Sequence, residues 1–524
     1  MSPSLRGIVL SLCVLGAQSA LANDSFYVDA SLEPTGKLLG WQAVDGLPGA
    51  LAPLARDLVL AVRTAEGREL RVHALRSDGI DPTPRHTVPM LKDVIAWGVA
   101  DVRAEEGKEL LLLTQGGAWS YSLLKEGYRG NAAALAKTEL IYDLPNPHRL
   151  PYWAFVLPGP EGKSQDRVLL PGREGYAIWS ESPTEPGVWK AGPLFTASAP
   201  TEVRKDEDQP SDEDSDNSVD IDLVLAGNAS PFLDHKENEG ADLLHDSLAY
   251  RAPAMLDVDG DGRLDLLAWT AEGLAMHSAG ADEPGWVRPL PEYLNPEDTS
   301  RDLTLADLDG DGDLDVLAKL TEESSGLEDS AVRLLILLQE KGRFFPSKPN
   351  QVLRFNAAEM RTQVTDVNGD GRPDLVIRKF ELPSLLESVS GLEFTFTHLV
   401  YFGNKRGFER KPAVKNVEVY DEDSVAGAIA NYKLVRDCDG DGNADLVALD
   451  LEGRLSVRRV TKKSSFFGGD SWSMDEAPWK LFDTRGAIKS LSVPDLNGDG
   501  LGDLVSLGSK RLTVYLSQRR RGSR

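Results

Sequence analysis

Cysteine is nearly absent from this chain, with two in 524 residues, Cys13 and Cys438. That excludes a disulfide framework as its source of stability. Histidine is scarce as well: His73, His86, His148, His235, His245, His277 and His398. None stands in an H-E-x-x-H pair or another ligand spacing, which removes the usual zinc sites. A G-x-S-x-G elbow, a P-loop and a G-x-G-x-x-G after a strand are all missing, so the sequence shows no recognisable catalytic centre. Positive charge is in deficit, with 57 Lys and Arg against 83 Asp and Glu and a net charge of -26. Nucleic acid is thereby excluded as a partner, because its phosphates must be neutralised by Lys and Arg. Long apolar runs are missing too. Beyond the N-terminus none reaches the roughly 18 residues of a transmembrane segment.

The N-terminus itself reads as an export signal. Arg6 gives a positive start, Gly7 to Gly16 (GIVLSLCVLG) a short apolar core, and Ala20-Leu21-Ala22 an A-x-A cleavage site. Cleavage there removes residues 1–22, starts the mature chain at Asn23 and leaves Cys438 without an internal partner. The expectation is a secreted or periplasmic protein, with cell-surface association open.

Aspartate and glycine are plentiful and patterned. One motif returns five times: DVDGDGRLDLL from Asp257, DLDGDGDLDVL from Asp307, DVNGDGRPDLV from Asp366, DCDGDGNADLV from Asp437 and DLNGDGLGDLV from Asp495. The starts lie 50, 59, 71 and 58 residues apart. Periods of that size mean a solenoid, a propeller or an array. The flanks choose between them. A short alternating run such as Leu303-Thr304-Leu305-Ala306 precedes the loop, and a β-prone run such as Asp374-Leu375-Val376-Ile377 follows it. After a turn comes a third run, such as Arg333 to Leu338, and often a fourth segment with Gly and an aromatic, as in Gly342-Arg343-Phe344-Phe345. That is a four-stranded antiparallel blade. Three degenerate units precede the five: Asp57 to Leu75, Asp101 to Leu123 and Phe155 to Trp179. They keep the strands and lose most of the carboxylates. The last unit stops after three strands, and Ser25 to Leu32 (SFYVDASL) is an orphan β-prone segment that could supply its fourth. The predicted fold is all-β, a propeller of seven or eight four-stranded blades with cation loops in the C-terminal blades.

The loops carry the chemistry. In Asp257 to Asp265, carboxylates stand at positions 1, 3, 5 and 9. Gly at position 6 permits a sharp turn, and position 7 can offer its backbone carbonyl. Hard oxygen donors in a flexible loop suit Ca²⁺, whereas Zn²⁺ would want His or Cys. Three to five aspartates within nine residues repel one another without a cation. A plain acidic β-turn is the alternative, and five loops in register weigh against it. An EF-hand would need Glu at position 12 and flanking helices; here the chain runs straight into a strand.

The pattern D-x-[DN]-G-D-G-x-x-D-[LV] resembles the calcium loop of the FG-GAP/VCBS repeat family, seen in the propeller of integrin α-subunits and in many bacterial secreted proteins. Tyr401-Phe402-Gly403-Asn404 resembles that family's aromatic-Gly segment. The resemblance covers Arg251 to Gln518 and fades from Asn23 to Pro200. It implies about five Ca²⁺ ions, held by Asp257, Asp259, Asp261 and Asp265; by Asp307, Asp309, Asp311 and Asp315; by Asp366, Asn368, Asp370 and Asp374; by Asp437, Asp439, Asp441 and Asp445; and by Asp495, Asn497, Asp499 and Asp503. It adds the backbone carbonyls of Arg263, Asp313, Arg372, Asn443 and Leu501.

The expected organisation is therefore a signal peptide at 1–22, degenerate blades at 23–200 and an acidic, disordered insertion at 201–250. Five calcium blades at 251–518 and a basic tail at 519–524 complete it. The expected function is a binding module for a protein or polysaccharide, with calcium in a structural role. A glycan-active hydrolase or lyase on the same scaffold, or a purely structural envelope component, are the rivals. The tryptophans read as core between blades, or as sugar-stacking platforms.

Overall fold

The computed structural model describes residues 26–519, apart from 196–253 and short stretches of the connecting loops. The signal segment 1–22, the acidic insertion 201–250, Asp259, Asp261 and nearly all of the basic tail lie outside the described residues. Among the described residues, eight β-sheets of four or five strands follow one another along the chain and form an eight-bladed propeller, within the range the sequence allowed, and two small hairpins stand beside them.

Blade 5 shows why the sequence folds this way. Its strands Thr299–Ala306, Asp315–Glu322, Ser330–Leu337 and Gln351–Ala357 pair antiparallel in chain order. Side chains alternate between the two faces of a strand. In the third strand Val332, Leu334 and Ile336 therefore pack toward blade 6, while Leu335 and Leu337 pack toward blade 4. A sheet buried on both faces needs a continuous apolar run, and that is what residues 334–338 provide. The same arrangement recurs around the ring. Distinct apolar clusters bridge blades 1 and 2, 4 and 5, 5 and 6, 6 and 7, 7 and 8, and 8 and 1, and a larger one spans blades 2, 3 and 4. Each core belongs to two blades, so no blade buries its own faces alone.

The second strands are deeply buried, as in Arg56–Arg63 of blade 1 and Glu109–Thr114 of blade 2, and in blade 2 the first strand, Val94–Ala100, is buried along its whole length too. The fourth strands face outward, with Val417 and Val419 of blade 6 and Leu481 of blade 7 exposed. Trp97 and Trp153 are fully buried, whereas Trp119 is 38% exposed. Among the described residues the only helical segment is the single turn Glu292–Leu294, and no helix is long and apolar enough to cross a membrane.

Blade 8 takes its fourth strand from the other end of the chain. Phe26–Asp29 pairs antiparallel with Leu512–Gln518, Phe26 opposite Gln518 and Asp29 opposite Tyr515. Leu32 then bridges Leu512 and enters the cluster shared by Leu58, Leu60, Val514 and Leu516. The Tyr27 hydroxyl donates to the carbonyls of Cys438 and Gly502, at 3.1 and 3.3 Å. Arg511 reaches Glu33 and Asp29.

Two features differ from the sequence reading. The Gly-aromatic segments are not fourth strands. In blade 5 that strand is Gln351–Ala357, and Phe345 is instead packed against the cluster between blades 4 and 5. In blade 6 the fourth strand is Val414–Asp421, and Gly403–Asn404 pairs with Gly407–Phe408 in a small hairpin. That hairpin exists to place Phe408 in the core between blades 5 and 6, where its backbone exchanges two hydrogen bonds with the Gln351 side chain, at 2.9 and 3.0 Å. An aromatic next to glycine in these units marks an anchor, not a pleat.

Deleting residues 23–32 removes both the paired strand and buried Leu32. Truncating a buried leucine alone costs about 2–5 kcal/mol. The deletion should therefore lower the melting temperature clearly in calcium-containing buffer; an unchanged melting curve would show that the strand does not hold the ring closed.

Candidate metal centres

Each acidic loop joins the first and second strands of its blade, which places all five at the same end of the propeller. Position 9 opens the second strand and is the deepest point. Asp265, Asp315, Asp374, Asp445 and Asp503 are all at most 1% exposed. One Oδ of each accepts the N–H of position 2, from Val258, Leu308, Val367, Cys438 and Leu496, at 2.6–3.0 Å. In three blades the other Oδ accepts an N–H from the end of the third strand or just past it, from Gln339, Gly403 and Ser517. The position-9 aspartate thus staples the loop to the sheet.

Position 1 organises the turn. Asp307, Asp366 and Asp495 each accept the N–H groups of positions 4, 5 and 6, and Asp437 those of positions 4 and 6. This wrapping needs left-handed backbone at both glycines, with φ of +79° and +93° at Gly310 and Gly312 and similar values in the loops of blades 6, 7 and 8. The sequence assigned a turning role to position 6; position 4 needs it equally. At Gly369 the neighbour also matters, since a Cβ there would sit 2.2 Å from the Gly442 carbonyl oxygen.

The side chain of position 2 turns inward. Leu308, Val367, Cys438 and Leu496 are at most 1% exposed. Positions 3 and 5 turn the other way, toward the mouth of the loop. One carboxylate oxygen from each of Asp307, Asp309 and Asp315 lies within 4.8 Å of the others, as does one from each of Asp437, Asp439 and Asp441. Asp309 Oδ1, Asp439 Oδ2 and Asp445 Oδ1 are buried and receive no hydrogen bond. The guanidinium nearest Asp439 Oδ2, that of Arg459, is 3.8 Å away and hydrogen-bonds Asp475 instead. Buried carboxylate oxygens without donors are costly unless a cation meets them. Converging hard oxygens at this spacing suit an ion that takes ligands at about 2.3–2.6 Å. The residues fit Ca²⁺. Burial, followed by repulsion from neighbouring aspartates, pushes Asp309 above the ordinary carboxylate range and Asp439 up to about 6. Burial likewise takes Asp374 up to about 6, Asp315 and Asp503 to about 7, and Asp445 to about 8.

Of the sequence-derived ligands, Asp307, Asp309 and Asp315 converge in blade 5 and Asp437, Asp439 and Asp441 in blade 7. Asp311 and Asp445 belong to the same two turns, and Asp366, Asn368, Asp370 and Asp374 share the turn of blade 6 and Asp495, Asn497, Asp499 and Asp503 that of blade 8, joined by hydrogen bonds within the turn. The carbonyl donors Asp313, Arg372, Asn443 and Leu501 sit at the exit of these turns, their N–H groups tied to position 5. In blade 4, Asp257, Arg263 and Asp265 are described and take the corresponding places. Sequence reasoning missed Ser517, whose hydroxyl reaches Asp503 at 2.8 Å and Asp499 at 3.4 Å. It lies on the third strand, outside the motif, and only strand register could have revealed it.

It also missed how the loops touch. The position-8 N–H of blade 7, Ala444, donates to the Val367 carbonyl of blade 6 at 2.9 Å. That of blade 8, Gly502, donates to the Asp437 carbonyl of blade 7 at 2.8 Å. Lys108 to Gly46 and Asp166 to Asp101 repeat the contact in blades 1 to 3. Arg56 of blade 1 closes the series with its guanidinium on the Asp495 carbonyl, at 3.0 Å.

The fold and its loops define an eight-bladed propeller whose blades carry acidic strand-joining turns. Residues 257–318, which run from the loop of blade 4 through that of blade 5, match the FG-GAP-like repeat family. That stretch of the propeller is similar to an FG-GAP-like repeat. No curated protein matches the chain. Among solved structures it is similar to the S. cerevisiae Core Factor, at 8% identity and a TM-score of 0.34, over 95% of this chain and 62% of that one. It is also similar to the V. cholerae biofilm matrix protein Bap1, at 11% identity and a TM-score of 0.26, over 92% of this chain and 76% of that one. The chain thus spans less than two thirds of the first of these.

The raised aspartates give a pH signature when calcium is chelated. An unfolded aspartate titrates near 3.9. Groups held at about 6 to 8 when folded keep their protons over a range where the unfolded chain has lost them, so stability falls as pH rises through that range. The chelated protein should melt higher at pH 6 than at pH 8, and added calcium should remove or reverse the difference. A chelated protein that melts higher at pH 8 would contradict this electrostatic account.

Proposed function

We propose that this chain is an exported, calcium-binding propeller that acts as a binding module for a protein or polysaccharide, with its ions in a structural role. The observation that carries the calcium reading is the set of buried carboxylate oxygens at Asp309, Asp439 and Asp445 that receive no hydrogen bond, each in a loop whose backbone is already wrapped for an ion. Among the described residues four loops, those of blades 5 to 8, are wrapped in this way, and the blade 4 loop carries the same motif. The FG-GAP-like repeat and the propeller fold support a binding or structural module. Export rests on the N-terminal signal pattern.

In this reading Ca²⁺ neutralises the carboxylates of each loop and fixes the turn. Position 1 shapes the backbone, position 9 anchors it to the sheet, and positions 3 and 5 present the remaining oxygens. The loops then form a rigid rim. A large ligand docks on such a rim without reorganising it, which lowers the entropic cost of binding.

Calorimetric titration of chelator-stripped protein should give about five calcium ions, and Asp309→Ala should remove one of them; a stoichiometry of zero or one overturns the reading. Binding to immobilised envelope polysaccharides or envelope proteins should require calcium. Cleavage of such a polysaccharide by the protein would move the function to the glycan-active alternative.

A further inference from the structure

We propose that arginine guanidinium groups are the resident cations of blades 1, 2 and 3, so that calcium governs one arc of the ring, blades 4 to 8, and leaves the other arc unaffected. The inference rests on the calcium reading for the acidic loops.

Strand register identifies the equivalent positions. Leu256 faces Asp265 and Ala306 faces Asp315 where the loops of blades 4 and 5 leave the first strand. By the same register the position-9 residue is Asp57 in blade 1, Glu109 in blade 2 and Arg167 in blade 3. These are 0%, 1% and 6% exposed, as deep as the aspartates of the acidic loops. A charged group buried there needs a partner in every blade.

In blades 1 to 3 that partner is part of the chain. Arg85 makes a two-pronged pair with Asp57, Nε to Oδ1 at 2.9 Å and Nη2 to Oδ2 at 2.5 Å, and its Nη1 donates to the Pro48 carbonyl. The position-1 carboxylate of the same loop, Asp45, accepts from Arg56 Nε at 2.7 Å. In blade 2 the loop keeps acids at positions 1, 5 and 9, as Asp101, Glu105 and Glu109, but Arg103 stands at position 3, where the other loops carry Asp or Asn. Its guanidinium lies 3.8 Å from Glu105 and is held by the Ser120 hydroxyl and carbonyl. Burial pushes Glu109 up to about 7, and the Val102 N–H and the charge of Arg103 act against that shift. In blade 3 the exchange is complete. Arg167 occupies position 9 itself, and its Nε and Nη2 donate to the carbonyl of Pro158 at position 1.

Blades 5 to 8 differ. Among the described residues, every hydrogen bond to an aspartate carboxylate of their loops comes from a backbone N–H, an asparagine or Ser517. Arg459 lies 3.8 Å from Asp439 but gives its hydrogen bond to Asp475, and Arg56 touches only the Asp495 backbone carbonyl. A guanidinium is always charged and cannot leave, whereas calcium exchanges with the medium. The two kinds of cation occupy two contiguous arcs.

Peptide-resolved hydrogen exchange of the full chain tests this without any substitution. Adding chelator should speed exchange in the strands between 254 and 518 and leave those between 37 and 195 unchanged. Two variants give an independent reading. Arg103→Gln, which removes the charge and keeps hydrogen-bonding capacity, should lower the melting temperature by the same number of degrees in calcium and in chelator, with calcium stoichiometry unchanged and Arg103→Lys restoring much of the loss. Asp309→Asn should lower it in calcium alone. If calcium binds but both arcs exchange faster in chelator, or if Arg103→Gln acts only in calcium, the assignment of arginine as resident cation is overturned while the calcium reading stands. If no calcium binds at all, the calcium-governed arc is overturned together with that reading.

Discussion

At the start of the second strand of every blade, a side chain able to carry charge is buried beneath the loop that precedes it. The rest of the structure is arranged around that constraint. The position is useful because a carboxylate there collects the N–H of the turn and that of the third strand, tying three segments together. It is costly because the charge lies out of water and close to other carboxylates. The orphaned oxygens of Asp309, Asp439 and Asp445 mark what hydrogen bonding leaves unmet in blades 5 and 7. On the proposed reading an exchangeable cation meets it in one arc, and arginine does so in the other.

The loops also form a chain. Backbone bonds from Ala444 to Val367 and from Gly502 to Asp437 link neighbouring turns, and Pro373 interrupts the series at blade 6 because it has no N–H to give. Within blades 6 to 8, a turn that loses its shape therefore withdraws an acceptor or a donor from the next blade. The inter-blade cores transmit the same dependence: Leu308 and Val367, at position 2, sit in the clusters between blades 5 and 6 and between blades 6 and 7. Loop order and core packing are two ends of one element in each blade.

Much of this was legible in the sequence. The period of the aspartate motif, the β-prone flanks and the orphan segment at Ser25 to Leu32 were enough for blade number within one and for the place of the acidic loops between the first and second strands. Three things were not. The fourth strand of blade 5 was hidden because Gln351–Ala357 is polar on its outer face, while the Gly-aromatic segment before it carries the stronger apolar signal. Position 4 glycine was overlooked because its role depends on φ, which composition does not give. The arginines of blades 1 to 3 were invisible because two of them act from a distance: Arg85 reaches Asp57 across 28 residues, and the Ser120 that holds Arg103 lies on the third strand. Charge compensation in the degenerate blades is a property of register rather than of motif.

The most direct measurement is a crystal structure of the mature chain grown in calcium, with an anomalous difference map collected at long wavelength. The account predicts five peaks, one in each loop of blades 4 to 8 between positions 1 and 9, and none in the loops of blades 1 to 3, where guanidinium groups stand. Loops of blades 4 to 8 without peaks, or a peak beside Asp57 or Glu109, would contradict it.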